Sequence, residues 1–311
     1  MKRVLVTGST GFIGRHCLPF LVERGYDVHS VTTHHGRMGP KGVTWHRANL
    51  LSPAELSAVV SAVQADSLLH LAWVTTPGEY TGSTSNLPWL SASLQLFKEF
   101  VEQGGQRIVC SGTCFEYDLS HGVCREDSTP LVPDTLYGTC KNALQSVLHR
   151  YCEGLNVNSA WGRVFFLYGP HERPERLVSS VVLALLQNQE APCTLGTQVR
   201  DFLHVKDVAR AFVELLASNV TGPVNVASGE PVEIRELVLE IARQLGKLDL
   251  VKLGARPTPE GEPPRIVADV TRLRDQVGFT PRFNHAQGLK DTIAWWSAKG
   301  VPEFHRGVAG R

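Results

Sequence analysis

The chain lacks the cysteine patterns and the long apolar runs that mark disulfide-rich, metal-binding or membrane-spanning proteins. Its 311 residues include seven cysteines, an odd number with no Cys-x-x-Cys and no ligand-like Cys/His cluster. We therefore expect reduced thiols in a cytoplasmic protein that binds no metal. No apolar run approaches the roughly 18 residues that cross a bilayer, and the N-terminal strand leaves no room for a signal peptide.

An excess of charge of one sign is lacking as well. The formal net charge is +1, from 31 basic and 30 acidic residues, and neither a basic patch nor an acidic tail interrupts the sequence. We therefore expect neither a nucleic acid nor a membrane as a partner. Hydrophobic residues make up 42% of the chain, which is long enough for one large or two modest domains.

What the sequence does contain is a glycine-rich turn close to its beginning. Arg3–Thr7 is an apolar, β-branched run that predicts a buried strand, and apolar residues recur at helical spacing from Leu18 onward. A strand, a glycine turn and a helix form the first half of a dinucleotide-binding unit, in which glycine lets the backbone approach a pyrophosphate. The spacing is G-x-x-G-x-x-G, and the residues expected to contact the cofactor are Gly8, Thr10, Gly11, Phe12, Ile13 and Gly14.

A tyrosine and a lysine four residues apart, Tyr137 and Lys141, form a pair that can move a proton at a carbon–oxygen bond. Residues at this spacing share one face of a helix, which we predict over 135–151 with Asp134 as its N-cap. A nearby ammonium group lowers a tyrosine pKa by roughly 1–3 units, and a cationic nicotinamide acts in the same direction. We therefore expect a phenol whose pKa is depressed enough for general acid–base catalysis.

In order along the chain, these motifs resemble those of the extended short-chain dehydrogenase/reductases, the NAD-dependent epimerase/dehydratase family. The resemblance extends over His70-Leu71-Ala72, the segment from Ser111 to Tyr117, Gly169-Pro170, the run from Arg200 to Val208, and Pro264-Arg265. It implies that Thr113, Tyr137 and Lys141 are the catalytic residues, with the Thr113 hydroxyl orienting the substrate oxygen. It also implies a homodimer.

The alternation of strands and helices predicts an α/β fold, a Rossmann-type doubly wound parallel sheet with a smaller C-terminal substrate domain. We expect residues 1–167 to form the dinucleotide-binding domain and residues 168–311 mainly the substrate-binding domain. The resemblance implies that the chain returns to the first domain at about 201–228. Predicted strands include Asp27–Thr32, Val43–Arg47, 67–72, 107–111 and 158–166, with helices at Pro53–Val63 and Asn86–Glu102.

The residues after the second strand bear on the choice between NAD and NADP. A carboxylate there binds the ribose hydroxyls of NAD, whereas an arginine suits the 2′-phosphate of NADP. The chain has Thr32, Thr33 and then Arg37, with no acid, which favours NADP(H) and leaves NAD(H) as the alternative. Further cofactor contacts that the resemblance implies are Asn49, Leu50, Leu71, Ala72, Trp73 and Ser111, together with Tyr137 and Lys141.

Departures from the family pattern bear on the reaction. Cys114 and Phe115 stand where dehydratases of the family carry Asp-Glu, and Phe166 replaces an asparagine that touches the substrate phosphate. Arg200 and Arg265 match positions that clamp a nucleotide diphosphate. The full set of expected substrate contacts is Thr75, Tyr80, Asn86, Thr113, Phe166, Arg176, Arg200 and Arg265.

These observations predict NADPH-dependent reduction of a nucleotide-linked 4-keto-6-deoxysugar. An NAD-dependent nucleotide-sugar 4-epimerase, which uses the same residues reversibly, remains the alternative. A non-catalytic dinucleotide-sensing protein is a third interpretation, from a different class. The intact set of Thr113, Tyr137 and Lys141 argues against it, because a sensor has no need of a poised proton donor.

Overall fold

The structure, a computed structural model, describes residues 2–34 and 39–300. In chain order its elements are β1 (Arg3–Thr7), α1 (Gly14–Glu23), β2 (Asp27–Thr32), β3 (Val43–Arg47), α2 (Pro53–Val63), β4 (Ser67–His70), α3 (Asn86–Glu102), β5 (Arg107–Thr113), β6 (Val123–Cys124), α4 (Leu136–Gly154), β7 (Asn158–Val164), β8 (Phe166–Tyr168), α5 (Leu177–Leu186), β9 (Ala191–Pro192), β10 (Val199–His204), α6 (Val205–Ala217), β11 (Gly222–Val226), β12 (Pro231–Glu233), α7 (Ile234–Leu245), β13 (Val251–Lys252), β14 (Arg265–Ala268), α8 (Thr271–Asp275) and α9 (His285–Lys299).

A seven-stranded sheet carries the fold, in the order β11-β7-β5-β4-β1-β2-β3. All its neighbouring strands are parallel, and the order reverses between β1 and β4. Open sheets of this kind bind ligands beyond the carboxyl ends of their strands, at the point of reversal. The predicted Rossmann-type fold is confirmed.

Alternate residues of each strand pack on opposite faces of this sheet, as the two-residue period of a strand requires. On one face Val4 and Val6 join a core with α1 and α6, which supply residues such as Leu18 and Phe212. On the other face Leu5 joins a core with α2, α3 and α4. Helices therefore cover both faces, which explains why the strands are continuous apolar runs in the sequence.

The chain divides into two compact units. The first runs up to Leu167 and takes in Gln198–Val232 and Pro263–Arg282, so the chain enters it twice more rather than once. It also holds most of a second sheet, in the order β12-β10-β14-β6, with β8 paired to β10. The second unit comprises Tyr168–Thr197, Glu233–Glu262 and the residues from Phe283 onward, with helices α5, α7 and α9 and the paired strands β9 and β13.

One predicted strand is divided in the structure. The sequence predicted a single strand over 158–166, but β7 ends at Val164 and β8, which begins at Phe166, pairs with β10 instead. The pattern of apolar residues continues across the break, so periodicity alone does not reveal the change of sheet. Pro19, by contrast, does not end its helix, and α1 runs through it.

The structure also bears on the absences noted in the sequence. All seven cysteines are free and buried. Over residues 2–34 and 39–300, no helix has the length and apolar character needed to cross a membrane. Within the same ranges, no three His, Cys, Asp or Glu side chains are grouped so as to hold a metal ion.

Candidate active site

The glycine turn between β1 and α1 packs too tightly for side chains. Gly8 has a φ of +69°, and a Cβ there would lie 2.6 Å from the backbone nitrogen of Ala72. A Cβ on Gly14 would lie 2.3 Å from the carbonyl oxygen of Gly8, which also accepts a hydrogen bond from Gly11 N at 2.9 Å. Thr10, Phe12 and Ile13 complete the turn, and α1 begins at Gly14. The first peptide groups of α1 therefore face the end of the sheet with their positive dipole.

Leu71 and Ala72 lie where β4 ends, directly against Gly8. Their backbone nitrogens donate to the carbonyl oxygen of Thr7 at 3.2 Å and to its hydroxyl at 3.3 Å, respectively. The predicted contacts from the glycine turn and from the end of β4 are thus adjacent. Both come from strands at the reversal of strand order.

The residues predicted to contact the cofactor after β2 and β3 differ in how far their side chains are exposed. Thr32 is buried and its hydroxyl accepts a hydrogen bond from His34 N at 3.1 Å, whereas Thr33 is exposed. Arg37 lies outside the described residues. Asn49 is exposed, with its side-chain oxygen accepting from Leu51 N at 3.0 Å, and Leu50 is part of the hydrophobic core.

The loop after β4 gives Asn86 a different role from the one predicted. Asn86 is fully buried, its amide nitrogen donates to the carbonyl oxygens of Tyr80 and Ser83 at 2.7 Å each, and its oxygen accepts from Trp73 Nε1 at 2.8 Å. The expectation that Asn86 contacts a sugar is therefore corrected, because its amide holds the loop together. Thr75 is exposed and Tyr80 is half-buried, so both remain candidates for substrate contact.

Thr113 and Tyr137 are brought together as the sequence predicted. Thr113 ends β5, and its hydroxyl lies close enough to the Tyr137 phenol to lower the pKa of that phenol. The Tyr137 ring meets that of Tyr80 edge to face, with centroids 4.9 Å apart. Helix α4 begins at Leu136, and its N-cap is Thr135 rather than Asp134, because the Thr135 hydroxyl accepts from Gly138 N at 3.1 Å.

A glycine that the sequence analysis did not single out permits this approach. A Cβ on Gly138, one residue after Tyr137, would lie 2.3 Å from the carbonyl oxygen of Phe115. Any larger residue would push α4 away from the turn that follows β5. Gly138 therefore sets the separation between Tyr137 and the strand end that carries Thr113.

Lys141 lies one turn further along α4 and is almost fully buried. Its ammonium group donates to the carbonyl oxygen of Ser111 at 2.8 Å and lies 4.0 Å from the centroid of the Trp73 ring. Three residues expected to contact a cofactor, Ser111, Trp73 and Lys141, are thus grouped around one ammonium group. Because an ammonium group has three donors, two remain for other partners.

The direction in which the pKa of Tyr137 is shifted in the structure differs from the expectation. Burial raises the pKa of the Tyr137 phenol, and the nearby Tyr80 acts in the same direction, against the lowering effect of the neighbouring Thr113 hydroxyl. Burial lowers the pKa of Lys141, opposed by Cys110 and Glu116. In the protein without ligand the direction is therefore opposite to the expected one, because burial of the phenol dominates. The expectation included a cationic nicotinamide and stays a prediction for the complex with cofactor.

Two arginines predicted to clamp a diphosphate do not share a face of their sheet. Strands β10 and β14 are parallel, with Val199 opposite Arg265 and Arg200 opposite Ile266. Opposite residues share a face and successive residues alternate, so Arg200 and Arg265 lie on opposite faces. Contact of each arginine with a nucleotide diphosphate stays a prediction.

The remaining predicted substrate residues lie as follows. Arg200 is buried, with its guanidinium 5.5 Å from the centroid of the Phe166 ring, and the ring of Phe166 lies 5.6 Å from that of Phe202. Arg265 is exposed. Arg176 belongs to the second compact unit, where it is half-buried at the N-cap of α5.

Glu116 is a charged residue of this site that the sequence analysis quoted but gave no role. It is fully buried, and its carboxylate accepts hydrogen bonds from Thr113 N at 2.8 Å and from Arg163 Nε at 2.7 Å. A glutamate and an arginine 47 positions apart give no local signal in the sequence.

Comparison with known proteins points to the same family that the sequence motifs resemble. The model of the NAD-dependent epimerase/dehydratase family matches residues 4–227. The UDP-glucose 4-epimerase of Halalkalibacterium halodurans is 24% identical over 325 residues, which cover 94% of this chain and 95% of that protein.

Solved structures agree. MoeE5, solved in complex with UDP-glucuronic acid and NAD, is 28% identical with a TM-score of 0.81, over 96% of this chain and 99% of that one. The UDP-glucose 4-epimerase of Thermus thermophilus, solved with NAD, has the same fold, with 24% identity and a TM-score of 0.82, over 94% of this chain and 98% of that one.

Proposed function

The chain belongs to the NAD-dependent epimerase/dehydratase family of the extended short-chain dehydrogenase/reductases, and from this premise we propose that it is a nucleotide-sugar 4-epimerase that uses NAD. The observation that carries the proposal is that Tyr137 lies beside Thr113, with Lys141 buried one turn further along the same helix. MoeE5 and the two epimerases support NAD and reversible chemistry over the NADPH-dependent reduction that the sequence favoured.

The residues at the end of the sheet fit a dinucleotide. Gly8 and Gly14 let the turn pack directly against backbone atoms that a Cβ at either position would strike, and α1 begins at Gly14, at the end of this turn. The turn from Gly11 to Gly14 would hold the pyrophosphate, and Lys141 would hold the ribose next to the nicotinamide. When bound, NAD supplies a hydride acceptor that afterwards serves as a hydride donor.

The protein's own residues handle the proton. Thr113 orients the C4 oxygen of the sugar, and the oxygen of Tyr137 takes the proton of the C4 hydroxyl and later returns it. Because burial raises the pKa of Tyr137, the phenol is protonated when no ligand is bound. The positive charge of an oxidised nicotinamide, added to that of Lys141, would lower this pKa, so that the phenol would release its proton to solvent. The resulting phenolate would then be the base that accepts the proton of the C4 hydroxyl.

The second candidate function is the reduction of a nucleotide-linked 4-keto-6-deoxysugar with NADPH. The observation that favours it is that the described residues after β2, Thr33 and His34, include no carboxylate to bind the ribose hydroxyls of NAD. Arg37, outside the described residues, would bind the 2′-phosphate. In that case Arg37→Ala weakens NADPH binding without weakening NADH binding.

The substrate class in both cases is a nucleotide-diphosphate sugar. Tyr80, Phe166 and Arg200 are the residues of the first compact unit that we assign to its recognition. A cytoplasmic homodimer with no nucleic-acid or membrane partner remains a prediction from the sequence and the family.

The two functions are separated by incubating the purified protein with each of several nucleotide hexoses and a catalytic amount of NAD. We expect the C4 epimer of at least one UDP- or dTDP-linked hexose or hexuronic acid to form, as separated by ion-exchange chromatography. If none reacts, while a nucleotide-linked 4-keto-6-deoxyhexose oxidises NADPH in equal amount, the epimerase proposal is wrong and the reductase stands.

A further inference from the structure

The buried carboxylate of Glu116 joins the end of β5 to two donors on β7. Its Oε1 accepts from the backbone N–H of Thr113 at 2.8 Å and from Trp161 Nε1 at 2.9 Å. Its Oε2 accepts from Arg163 Nε at 2.7 Å. Gly112 makes room for this arrangement, because a Cβ there would lie 2.0 Å from Trp161 Nε1 and 2.5 Å from Glu116 Oε1.

The same carboxylate closes a reciprocal pair of hydrogen bonds around Thr113. The Thr113 hydroxyl accepts from Phe115 N at 3.3 Å, while Glu116 Oε1 accepts from Thr113 N, so that the two residues form a capping box on a short 3₁₀ turn. This arrangement fixes both the backbone of Thr113 and the direction of its hydroxyl. That hydroxyl is the group that lies beside the Tyr137 phenol and lowers its pKa.

The ion pair by itself does not explain why a charge is buried here. Replacing a buried ion pair with apolar residues of similar volume is often neutral or stabilising, so stability alone does not require one. The hydrogen bond to Thr113 N is a function that an apolar residue cannot fulfil. Through this hydrogen bond the carboxylate holds the backbone of Thr113, the residue whose side-chain hydroxyl serves the reaction.

We propose that Glu116 is a positioning residue that acts through Thr113, holding its hydroxyl in the orientation that serves Tyr137 and the C4 oxygen of the substrate. This inference rests on the proposed function in so far as it assigns catalysis to Thr113 and Tyr137. It goes beyond it by making a buried carboxylate, which touches neither substrate nor cofactor, a determinant of turnover.

The charged and titratable groups around Glu116 come from three elements besides its own turn. Arg163 lies on β7, Cys110 on β5, and Tyr137 and Lys141 on α4; Cys114 and Tyr117 flank Glu116 in the chain. A variant of Glu116 therefore changes the charge felt by several groups. The test has to separate the hydrogen bond to Thr113 from this change of charge.

Two double variants achieve that separation. Glu116→Gln/Arg163→Met and Glu116→Leu/Arg163→Met both lack the ion pair and have similar side-chain volumes. They differ in that only glutamine offers an oxygen to the N–H of Thr113 and to Nε1 of Trp161, and the amide exchange measured below reports on the first of these two bonds. The Arg163→Met change also ensures that the glutamine NH₂ does not face a guanidinium group.

We expect the kcat of the Gln/Met variant to exceed that of the Leu/Met variant at least tenfold, because misplacement of a reacting group by about 1 Å costs roughly 100-fold in rate. The KM of the two variants and their dissociation constants for NAD should agree within about threefold, which also reports that both are folded. If their kcat values agree within about threefold, the proposal is overturned.

A measurement that needs no substrate accompanies the kinetics. Hydrogen exchange of the Thr113 amide, followed by NMR of the protein labelled with ¹⁵N-threonine, should be at least tenfold slower in the Gln/Met variant. Equal exchange in the two variants would contradict the proposal even if no substrate of the protein were found. Conversely, the Thr113 amide could exchange more slowly in the Gln/Met variant while the unaltered protein transforms no nucleotide sugar. That result would count against the proposed function and leave the contact between residue 116 and Thr113 established.

Discussion

The ammonium group of Lys141 lies 4.0 Å from the centroid of the Trp73 indole ring, while it donates to the carbonyl oxygen of Ser111. A cation placed over an indole face is stabilised by about 0.5–2 kcal/mol. The lysine is therefore held in place by the protein before any ligand binds, and Trp73 acts on the proposed cofactor site through Lys141.

Replacing Trp73 should consequently weaken cofactor binding. We expect Trp73→Leu to raise the dissociation constant of NAD about 2- to 30-fold, the equivalent of the cation–π energy. Trp73→Phe keeps an aromatic face and should have a smaller effect. Trp89→Leu is the matched control, because Trp89 packs near Trp73, with ring centroids 6.4 Å apart. The dissociation constants of NAD for Trp73→Leu and Trp89→Leu are compared by titration calorimetry. Equal values would contradict the role of the Trp73 indole in holding Lys141.

Tyr137→Phe removes the proposed proton donor and acceptor but keeps the ring that packs on Tyr80. General acid–base catalysis contributes about 10²–10⁴-fold, so kcat should fall by that factor while NAD affinity changes less than about threefold. Tyr26→Phe serves as control, since Tyr26 lies just before β2 at the amino ends of the strands. Turnover of Tyr137→Phe within threefold of the unaltered protein would refute the assignment.

Two glycines of α4, Gly138 and Gly154, are matched positions for testing how closely this helix must approach β5. A Cβ on Gly138 would lie 2.3 Å from the Phe115 carbonyl oxygen, whereas a Cβ on Gly154 meets no atom within 4 Å. Gly138→Ala should therefore reduce kcat at least tenfold, because it displaces Tyr137 from Thr113. Gly154→Ala should preserve kcat. The spacing argument fails if steady-state kinetics show the two variants to be equally active.

The buried carboxyl of Glu172, in the second compact unit, should make stability depend on pH. Burial raises its pKa from 4.5 to about 7, although Ser179 donates to its Oε2 from both its hydroxyl and its backbone nitrogen. A raised folded-state pKa means that unfolding releases a proton between these values, so stability falls as pH rises from about 4.5 to about 7.

Glu172→Gln keeps an acceptor for Ser179 and removes the titration. Relative to the variant, the unaltered protein should lose on the order of 3 kcal/mol of unfolding free energy between about pH 4.5 and about pH 8, as obtained from urea unfolding at each pH. Glu175→Gln, at an exposed position, is the control. A difference between the protein and Glu172→Gln that stays constant over this range would contradict the assigned pKa.

The parts of the fold and site that the sequence predicted are those with local signals. The turn at Gly8 and the pair Tyr137/Lys141 follow from spacing along one strand or one helix, and α3 was predicted at its observed bounds. The role of Asn86 was not predictable, because an amide is equally suited to a ligand and to the loop carbonyls that it binds here. Nor does any pattern pair Glu116 with an arginine on another strand.

The pKa of Tyr137 is a second property that could not be predicted from the sequence, because it depends on tertiary packing. The sequence supplied the neighbouring lysine, which lowers a tyrosine pKa, but the depth of burial that raises it arises only when α4 packs against β5. Likewise, Arg200 and Arg265 were both predicted to bind a diphosphate, and only the register of β10 with β14 shows that they lie on opposite faces of the sheet.

The central claim, that hydrogen leaves and returns to the same carbon, is tested most directly with a nucleotide hexose that carries deuterium at C4. With the substrate identified on the panel and NAD in catalytic amount, we predict that the C4 epimer retains its deuterium at C4, as observed by NMR, without net reduction of NAD. Loss of the deuterium to solvent, or its appearance in free reduced cofactor in an amount equal to the product, would contradict the account.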